Sequence, residues 1–375
     1  MRMILRSIII ALMCICLLIQ TGCWDRKLYE EIGFILQMGL ETGHGGELIY
    51  SVTSPVVAPE VKEKVEFIHT SKERLIRASR ERVRDVSGKL MEGGKLQHVY
   101  FSKALAETGI NEFFEIFFRN PENPLLANVI VVDGSPKEMM ELSLEFEDKP
   151  RSALYVSELL ADAHRSYHAT ETRIYDFSIL NYSETIDPVA PLFRYSKENI
   201  RVAGSALFSG DKMVGEIDTD QTMLLTALMG KKDWGEYIYE EQDSHETGKK
   251  IKRGAAMLIT GSKRKVKIYT SGKVPVIDIN LELKAFLHEY AGNHNLDESE
   301  NKKRLEEAVA RSIKADSLRL LNHLQNLGTD PIGFGEILRA KQNKYWKSVK
   351  WKEVYKDASF KMDVKMNIES YGAIN

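Results

Sequence analysis

The sequence predicts an α+β protein of more than one domain, with mixed or antiparallel sheets flanked by helices and one long helix in the C-terminal domain. Three observations carry this. Strand-like and helix-like segments alternate through the first half. Apolar stretches at 251–260, 265–270 and 274–283, separated by Gly261-Ser262 and Ser271-Gly272, have the pattern of a three-strand antiparallel meander. From about Glu298 to Leu327, Leu305, Val309, Ile313, Leu320, Leu324 and Leu327 share one helical face, the first turn is acidic and Gly328 follows the end. At 1.5 Å per residue that helix is about 45 Å long, the span of a whole domain.

In order, residues 32–40 and 48–52 form a β-hairpin across Thr42-Gly43-His44-Gly45-Gly46. A short strand over 65–68 follows, then a helix with Ser71 at its N-cap, Leu75, Ile76, Ser79, Val83, Val86 and Leu90 on one face, and Gly93-Gly94 as its stop. Strands at 96–101 and 128–132 bracket a short helix at 112–118, whose Phe113, Phe114, Phe117 and Phe118 are core material. Helices at 137–144, 153–164 and 175–181 lead to Asp187-Pro188-Val189-Ala190-Pro191, the best linker candidate. Beyond it come strands at 200–208 and 213–217, a helix at 221–229 capped by Asp218 or Thr219, the meander, the long helix and a closing strand at 360–368. The expected division is residues 1–22 as a signal peptide, 23–190 as an N-terminal α/β region that can split near 135, and 200–375 as a C-terminal α+β domain.

Composition sets the outer limits. The chain of 375 residues is 43% hydrophobic and 28% charged, which disfavours disorder, collagen and a polytopic membrane protein. Its 52 basic and 54 acidic residues give a net charge of -2, so no global field draws it to nucleic acid. The N-terminus is the most informative stretch. Arg2 and Arg6 precede an apolar run of 12 residues, Ile8 to Ile19, which suits a secretory h-region and is too short for a bilayer core of about 30 Å. Thr21-Gly22-Cys23 then resembles a bacterial lipobox, with Gln20 in place of the usual Leu. Cys14, Cys16 and Cys23 are the only cysteines, so cleavage and lipidation would leave no thiol, disulfide or sulfur ligand in the mature chain.

At Gly22-Cys23-Trp24-Asp25-Arg26 the sequence resembles the Ger(x)C family, the C subunits of spore germinant receptors. Val99-Tyr100-Phe101-Ser102 is similar to the family's YFSH segment, with Lys103 in place of the frequent His, and Arg119-Asn120-Pro121-Glu122 before the 128–132 strand resembles its RDPE segment. The stretch 202–208 with Val214-Gly215 resembles its GLAVF-LVG stretch, and 330–336 with Trp346 matches its D-x-x-G-F-G-E and later Trp. The resemblance implies a non-enzymatic lipoprotein without cofactor, held by lipid (diacylglycerol and palmitate) on Cys23 at the outer face of the inner spore membrane. It would act there beside an A subunit and a transporter-like B subunit in germination. Cys23 alone carries a defined chemistry over from the family.

A search for contrary chemistry finds little. His288-Glu289 is followed by His294, the wrong spacing for a His-Glu-x-x-His zinc helix. His164 and His168 could share a helix face but have no evident third ligand. Gly204-Ser205 lacks the Gly-x-Ser-x-Gly nucleophile elbow. Gly43-His44-Gly45-Gly46 precedes no helix that could offer a phosphate its N-terminus. Gly333-Phe334-Gly335 permits a tight reversal, with Phe334 either a core plug or a docking knob.

The remaining candidate is basic. Arg339, Lys341, Lys344, Lys347, Lys350, Lys352 and Lys356, with Glu353 the one acid and Trp346 and Trp351 interleaved, form either a contact for anionic headgroups or an acidic partner, or a solvated face. A second basic group, around 249–253 and 263–265, can protect a sheet edge. The alternative function is a solute-binding lipoprotein serving a transporter, which would require two α/β lobes around a cleft. The meander and the single long helix argue against it, and small-molecule binding is not expected.

Overall fold

The structure is a computed structural model that describes residues 4–8, 13, 31–55, 66–73, 75–119, 124–146, 148–232, 235–241, 245–246, 249–250, 253–272 and 274–370. Cys23, the lipobox around it and the acidic end of the Arg119 segment lie outside the described residues.

β1 (Ile32–Phe34) leads into the hairpin of β2 (Gln37–Thr42) and β3 (Leu48–Pro55), and β4 (Glu66–Glu73) extends it. α1 (Ile76–Ser87) and β5 (Leu90–Glu92) follow, with β5 pairing in parallel with β1. Then come β6 (His98–Ser102), α2 (Lys103–Thr108), α3 (Asn111–Arg119), β7 (Asn128–Val132), α4 (Pro136–Glu145), α5 (Ser152–Arg165), α6 (Ile174–Asn181), β8 (Val189–Tyr195), β9 (Ile200–Ser209) and β10 (Lys212–Ile217). One eight-stranded sheet has the order β10-β9-β8-β7-β6-β2-β3-β4. Its four central strands β2, β6, β7 and β8 are parallel, and both margins are antiparallel.

Strict alternation makes this a three-layer unit. Val99, Phe101, Val129 and Val131 point to the side holding α2, α3 and α6, whereas Tyr100, Ile130 and Val132 point to α4 and α5. Continuous apolar strands such as Asn128–Val132 are therefore the buried kind, covered on both faces.

Three local expectations are corrected. Ser71 is not a helix cap: it is paired with Tyr50 inside β4, because β3 offers partners all the way to Glu73. α1 begins at Ile76 and is ended by Gly88, whose left-handed backbone (φ 64) lets its N–H reach Arg84 O, ahead of Gly93-Gly94. The supposed linker at 187–191 is buried. Val189 to Pro191 open β8, and Pro191 is tolerated there because pairing with β7 starts only at Leu192. The expected division at 190–200 thus coincides with the β8–β9 hairpin, and the strands up to Ile217 share the sheet of the first half. Residue 135, where a further split was expected, is the N-cap of α4, its hydroxyl accepting from Glu138 N.

α7 (Thr219–Leu228) is capped as anticipated by Asp218, in a reciprocal box with Gln221. β11 (Glu236–Glu240), the small pair β12 (His245–Glu246) and β13 (Lys249–Lys250), β14 (Gly254–Tyr269) and β15 (Val276–Ala291) follow. The meander differs from expectation. Gly261-Ser262 is not a turn, since β14 runs unbroken for 16 residues against an equally long β15, and the extra residue is taken up as a bulge between Ile259 and Gly261. The second antiparallel neighbour of β14 is β11.

α8 (Ser299–Leu327) then crosses to α9 (Phe334–Lys341), α10 (Asn343–Trp346), α11 (Trp351–Tyr355) and β16 (Ser359–Ser370), which joins β15 in parallel. Leu305, Val309, Ile313, Leu320 and Leu324 of α8 are buried with Ile277, Ile279, Leu281 and Leu283 of β15 and with Met362, Val364 and Ile368 of β16. The fold is thus α+β with mixed and antiparallel sheets and one long C-terminal helix. Among the described residues the sheets do not form the two α/β lobes that the solute-binding alternative requires.

Candidate functional site

The densest polar constellation lies where the two halves meet. Gly328 (φ 68) ends α8, and Thr329 turns its hydroxyl onto Phe208 O of β9 at 2.5 Å. The chain then wraps around the Asp330 carboxylate. Asp330 Oδ1 accepts from Gly333 N (2.9 Å) and Phe334 N (3.1 Å), and Oδ2 accepts from Gly335 N (2.8 Å) and Trp351 Nε1 (3.0 Å). Both glycines are dictated by close approach. Gly333 has φ 79, and a Cβ on Gly335 would sit 2.7 Å from the Trp351 ring and 2.8 Å from Thr185 O. Phe334 is wholly buried, 6.0 Å from the Phe360 ring, so it is the core plug and not a docking knob.

Asp187 completes the clasp from the other half. Its N–H donates to Asp330 O (3.1 Å), and its Oδ2 accepts from Asp330 N (2.9 Å). Asp187 Oδ1 accepts from Gly210 N (3.0 Å) and Lys352 Nζ (2.9 Å), and Lys352 also reaches Ser209 Oγ at 2.9 Å. Burial pushes the Asp330 carboxyl up to about 6, against the opposing pull of the N–H groups of Gly335, Phe334, Trp351 and Gly333. The Tyr355 hydroxyl is buried beside these acids without a hydrogen-bond partner, and burial followed by the charges of Asp330 and Asp187 raises its pKa well above the ordinary value. The Asp330 and Asp187 carboxylates are buried and fully engaged with groups from both halves, with Lys352 closing the clasp from its exposed side, so its chemistry is cohesion between the halves.

The basic stretch is split by the fold. Arg339 is held by Glu336 (2.6 and 2.8 Å), and Lys341 donates to Val266 O (3.2 Å) while Gln342 donates to Ile268 O, together blunting the uncovered edge of β14. Lys350 meets Glu353 at 3.3 Å with both side chains well exposed. Lys352 belongs to the clasp. The side chains of Lys344 and Lys347 are exposed and form no hydrogen bond or ion pair among the described residues. Trp351 is buried and Trp346 packs half-buried on the core. The charges are adjacent in sequence, but their acceptors come from Glu336, Asp187 and the β14 backbone.

Among the described residues no group of three or more His, Cys, Asp or Glu is placed to hold a metal, and no helix is long and apolar enough to cross a membrane. His164 turns to Thr170 O (3.2 Å), His288 meets Glu236 (3.0 Å), and Ser205 is buried under Thr222. Two polar clusters were not anticipated. At the C-terminal ends of the parallel strands, Arg194 bridges Asp133 (2.8 Å) and Glu216 (2.6 Å), and Glu216 also binds Lys103 at 2.8 Å. Lys103 was visible only as a departure from the YFSH segment. Beneath α5, Gln37 joins Tyr100, Thr53 and Ser152, while His98 Nε2 contacts Ala153 O (3.1 Å) and Ser157 Oγ (3.0 Å). Burial holds His98 down at about 4.

Residues 25–195 match the family described as the spore germination protein N-terminal domain, and 203–372 match the spore germination B3/GerAC-like C-terminal family. The chain belongs to the Ger(x)C family. The boundary between the two Ger(x)C matches falls on the β8–β9 turn, within a single sheet. Similar proteins include spore germination protein GerQC of Bacillus cereus, 24% identical over 94% of this chain and 95% of that protein. Spore germination protein B3 of Bacillus subtilis (strain 168) is 24% identical over 96% of each. The crystal structure of the GerBC protein superposes with a TM-score of 0.57 at 16% identity, covering 88% of this chain and 96% of that one, a likeness of fold.

Proposed function

We propose that this Ger(x)C chain is the lipid-anchored C subunit of a nutrient germinant receptor, a non-enzymatic subunit that supports assembly and signalling beside A and B subunits on the outer face of the inner spore membrane. The observation that carries this reading is similarity along nearly the whole chain to proteins named for spore germination. In this reading, lipid on Cys23 is the membrane attachment, and the clasp at Asp330 and Asp187 keeps the two halves in one orientation.

Cys23→Ala is expected to abolish lipidation and release the chain from the membrane, because one apolar anchor of this kind has no substitute among the described helices. Membrane fractionation with intact-mass measurement tests it. An unmodified Cys23 on the membrane-bound form would refute the anchor.

Arg339, Lys341, Lys344, Lys347 and Lys350 remain the proposed contact for a partner or an anionic leaflet, with Lys344 and Lys347 the most available. Reversing Lys344, Lys347 and Lys350 to Glu should leave the unfolding midpoint close to the parent's, since exposed pairs such as Lys350 with Glu353 contribute at most about 1 kcal/mol. Co-purification of the receptor from spore membranes should weaken. A triple variant that assembles and germinates like the parent would make this stretch a solvated face.

A further inference from the structure

The solvent side of the C-terminal sheet carries a second basic feature, on elements the clasp does not use. Ile277, Ile279, Leu281 and Leu283 are buried, so the pleat turns Asp278, Asn280, Glu282 and Lys284 outward. On β16, Met362, Val364 and Met366 are buried and Lys361, Asp363 and Lys365 face the same way. The register sets Lys263, Glu282 and Lys365 side by side on three strands, with Gly261, Lys284 and Asn367 in the next row.

Gly261 has no side chain to fill its place at the bulge, and a hollow of about 550 Å³ opens there. Lys232, Lys263, Lys284, Lys365, Glu282 and Ser262 line it. Lys284 is paired with Glu369. The side chains of Lys232, Lys263, Lys365 and Glu282 form no ion pair or hydrogen bond among the described residues, while Ser262, opposite buried Leu283, contributes backbone to the floor of the hollow.

Three unneutralised ammonium groups around one carboxylate repel one another and leave excess positive charge in a concave site. A single carboxylate ligand would satisfy one of them. A phosphate presents several oxygens to several point-charge donors at once, and lysine's rotatable ammonium suits it. The hollow falls in the size range of small-ligand sites, about 300 to 1,000 Å³, and leaves room for the group the phosphate is attached to. We propose that this hollow binds a phosphate ester, with Lys232, Lys263 and Lys365 supplying the charge. The ester can be a phospholipid headgroup or a soluble molecule.

The test uses the full chain carrying Cys23→Ala, so that no lipid of its own contributes. Calorimetric titration with glycerol 3-phosphate reads the soluble source. Flotation with phosphatidylglycerol vesicles against phosphatidylcholine vesicles, with and without glycerol 3-phosphate as competitor, reads the lipid source. Lys263→Gln combined with Lys365→Gln, both on the exposed face, should weaken whichever binding is seen by about tenfold. Lys95→Gln combined with Lys314→Gln, two exposed lysines away from the hollow and from the 339–350 stretch, should leave it unchanged. The proposal is overturned if neither probe binds, if the hollow variant binds like the parent, or if the control pair loses as much.

Discussion

Replacing Asp330 with Ala should cost about 3 to 5 kcal/mol of folding stability, a large share of what holds a domain folded. The carboxylate is the common acceptor for three consecutive backbone N–H groups and the Trp351 indole; its removal orphans the Phe334 and Gly335 N–H groups and the indole in a buried site and leaves Gly333 N only the longer bond to Asp330 O at 3.3 Å. Asp330→Asn keeps the volume but sets an amide NH2 against those donors, so it should be intermediate. Trp351→Phe removes a single donor and should cost about 1 kcal/mol. Urea unfolding of the purified chain provides the measurement. An Asp330→Ala protein within 1 kcal/mol of the parent would mean that the clasp does not hold the halves together.

Acidification should act in opposite directions on the two halves. His98 is held at about 4 by burial, below its ordinary 6.5, so the folded state binds fewer protons than the unfolded chain between those values. Its contribution is fully present above 6.5 and is lost as pH falls towards 4, about 3 kcal/mol in all. The groups around the imidazole, Ala153 O, Ser157, Asn128 and Tyr100, carry no charge that would offset this. Asp330 has the reverse sign. Its folded value of about 6 lies above the ordinary 3.8, so the cost of burying its charge is present above 6 and is relieved as pH falls to 3.8, again about 3 kcal/mol. The parent should therefore show a shallow net dependence between pH 7 and 4.5. His98→Gln should gain stability relative to the parent on acidification, and Asp330→Asn should lose it. Equal slopes for parent and both variants in urea unfolding at the two pH values would contradict this assignment.

Much of the fold is legible in the sequence because it rests on periodicity. Asn128–Val132, the α8 stripe and the Asp218 cap stand where apolar spacing and capping chemistry place them. Ser71 and Gly261-Ser262 show the limit. Each has the residue type of a cap or turn, and each is carried into a strand by a long partner that local composition does not reveal. The clasp is half legible. Gly333 and Gly335 announce a tight reversal and Phe334 a core plug, but nothing near Asp330 announces Asp187, which lies 143 positions away. The Gln37 and His98 clusters were hidden for the same reason, since whether a polar strand residue is buried is decided by the helix laid over it. The basic stretch was visible as charge, but the acceptors that occupy Arg339, Lys341 and Lys352 were not.

The parallel seam between β15 and β16 also bears on the order in which the molecule forms. Parallel neighbours cannot be joined by a tight turn, and here α8 through α11 lie between them. The entropy of closing that long connection must be overcome before the pairing contributes anything, which makes this the slow, high-contact-order step of folding. Until β16 docks, β15 presents a long raw edge and part of the apolar sheet face stays wet, the combination that invites pairing with another chain. That interval lasts from the pairing of β14 with β15 until Ser359–Ser370 docks, so it is the stretch of folding in which association with another chain has to be prevented.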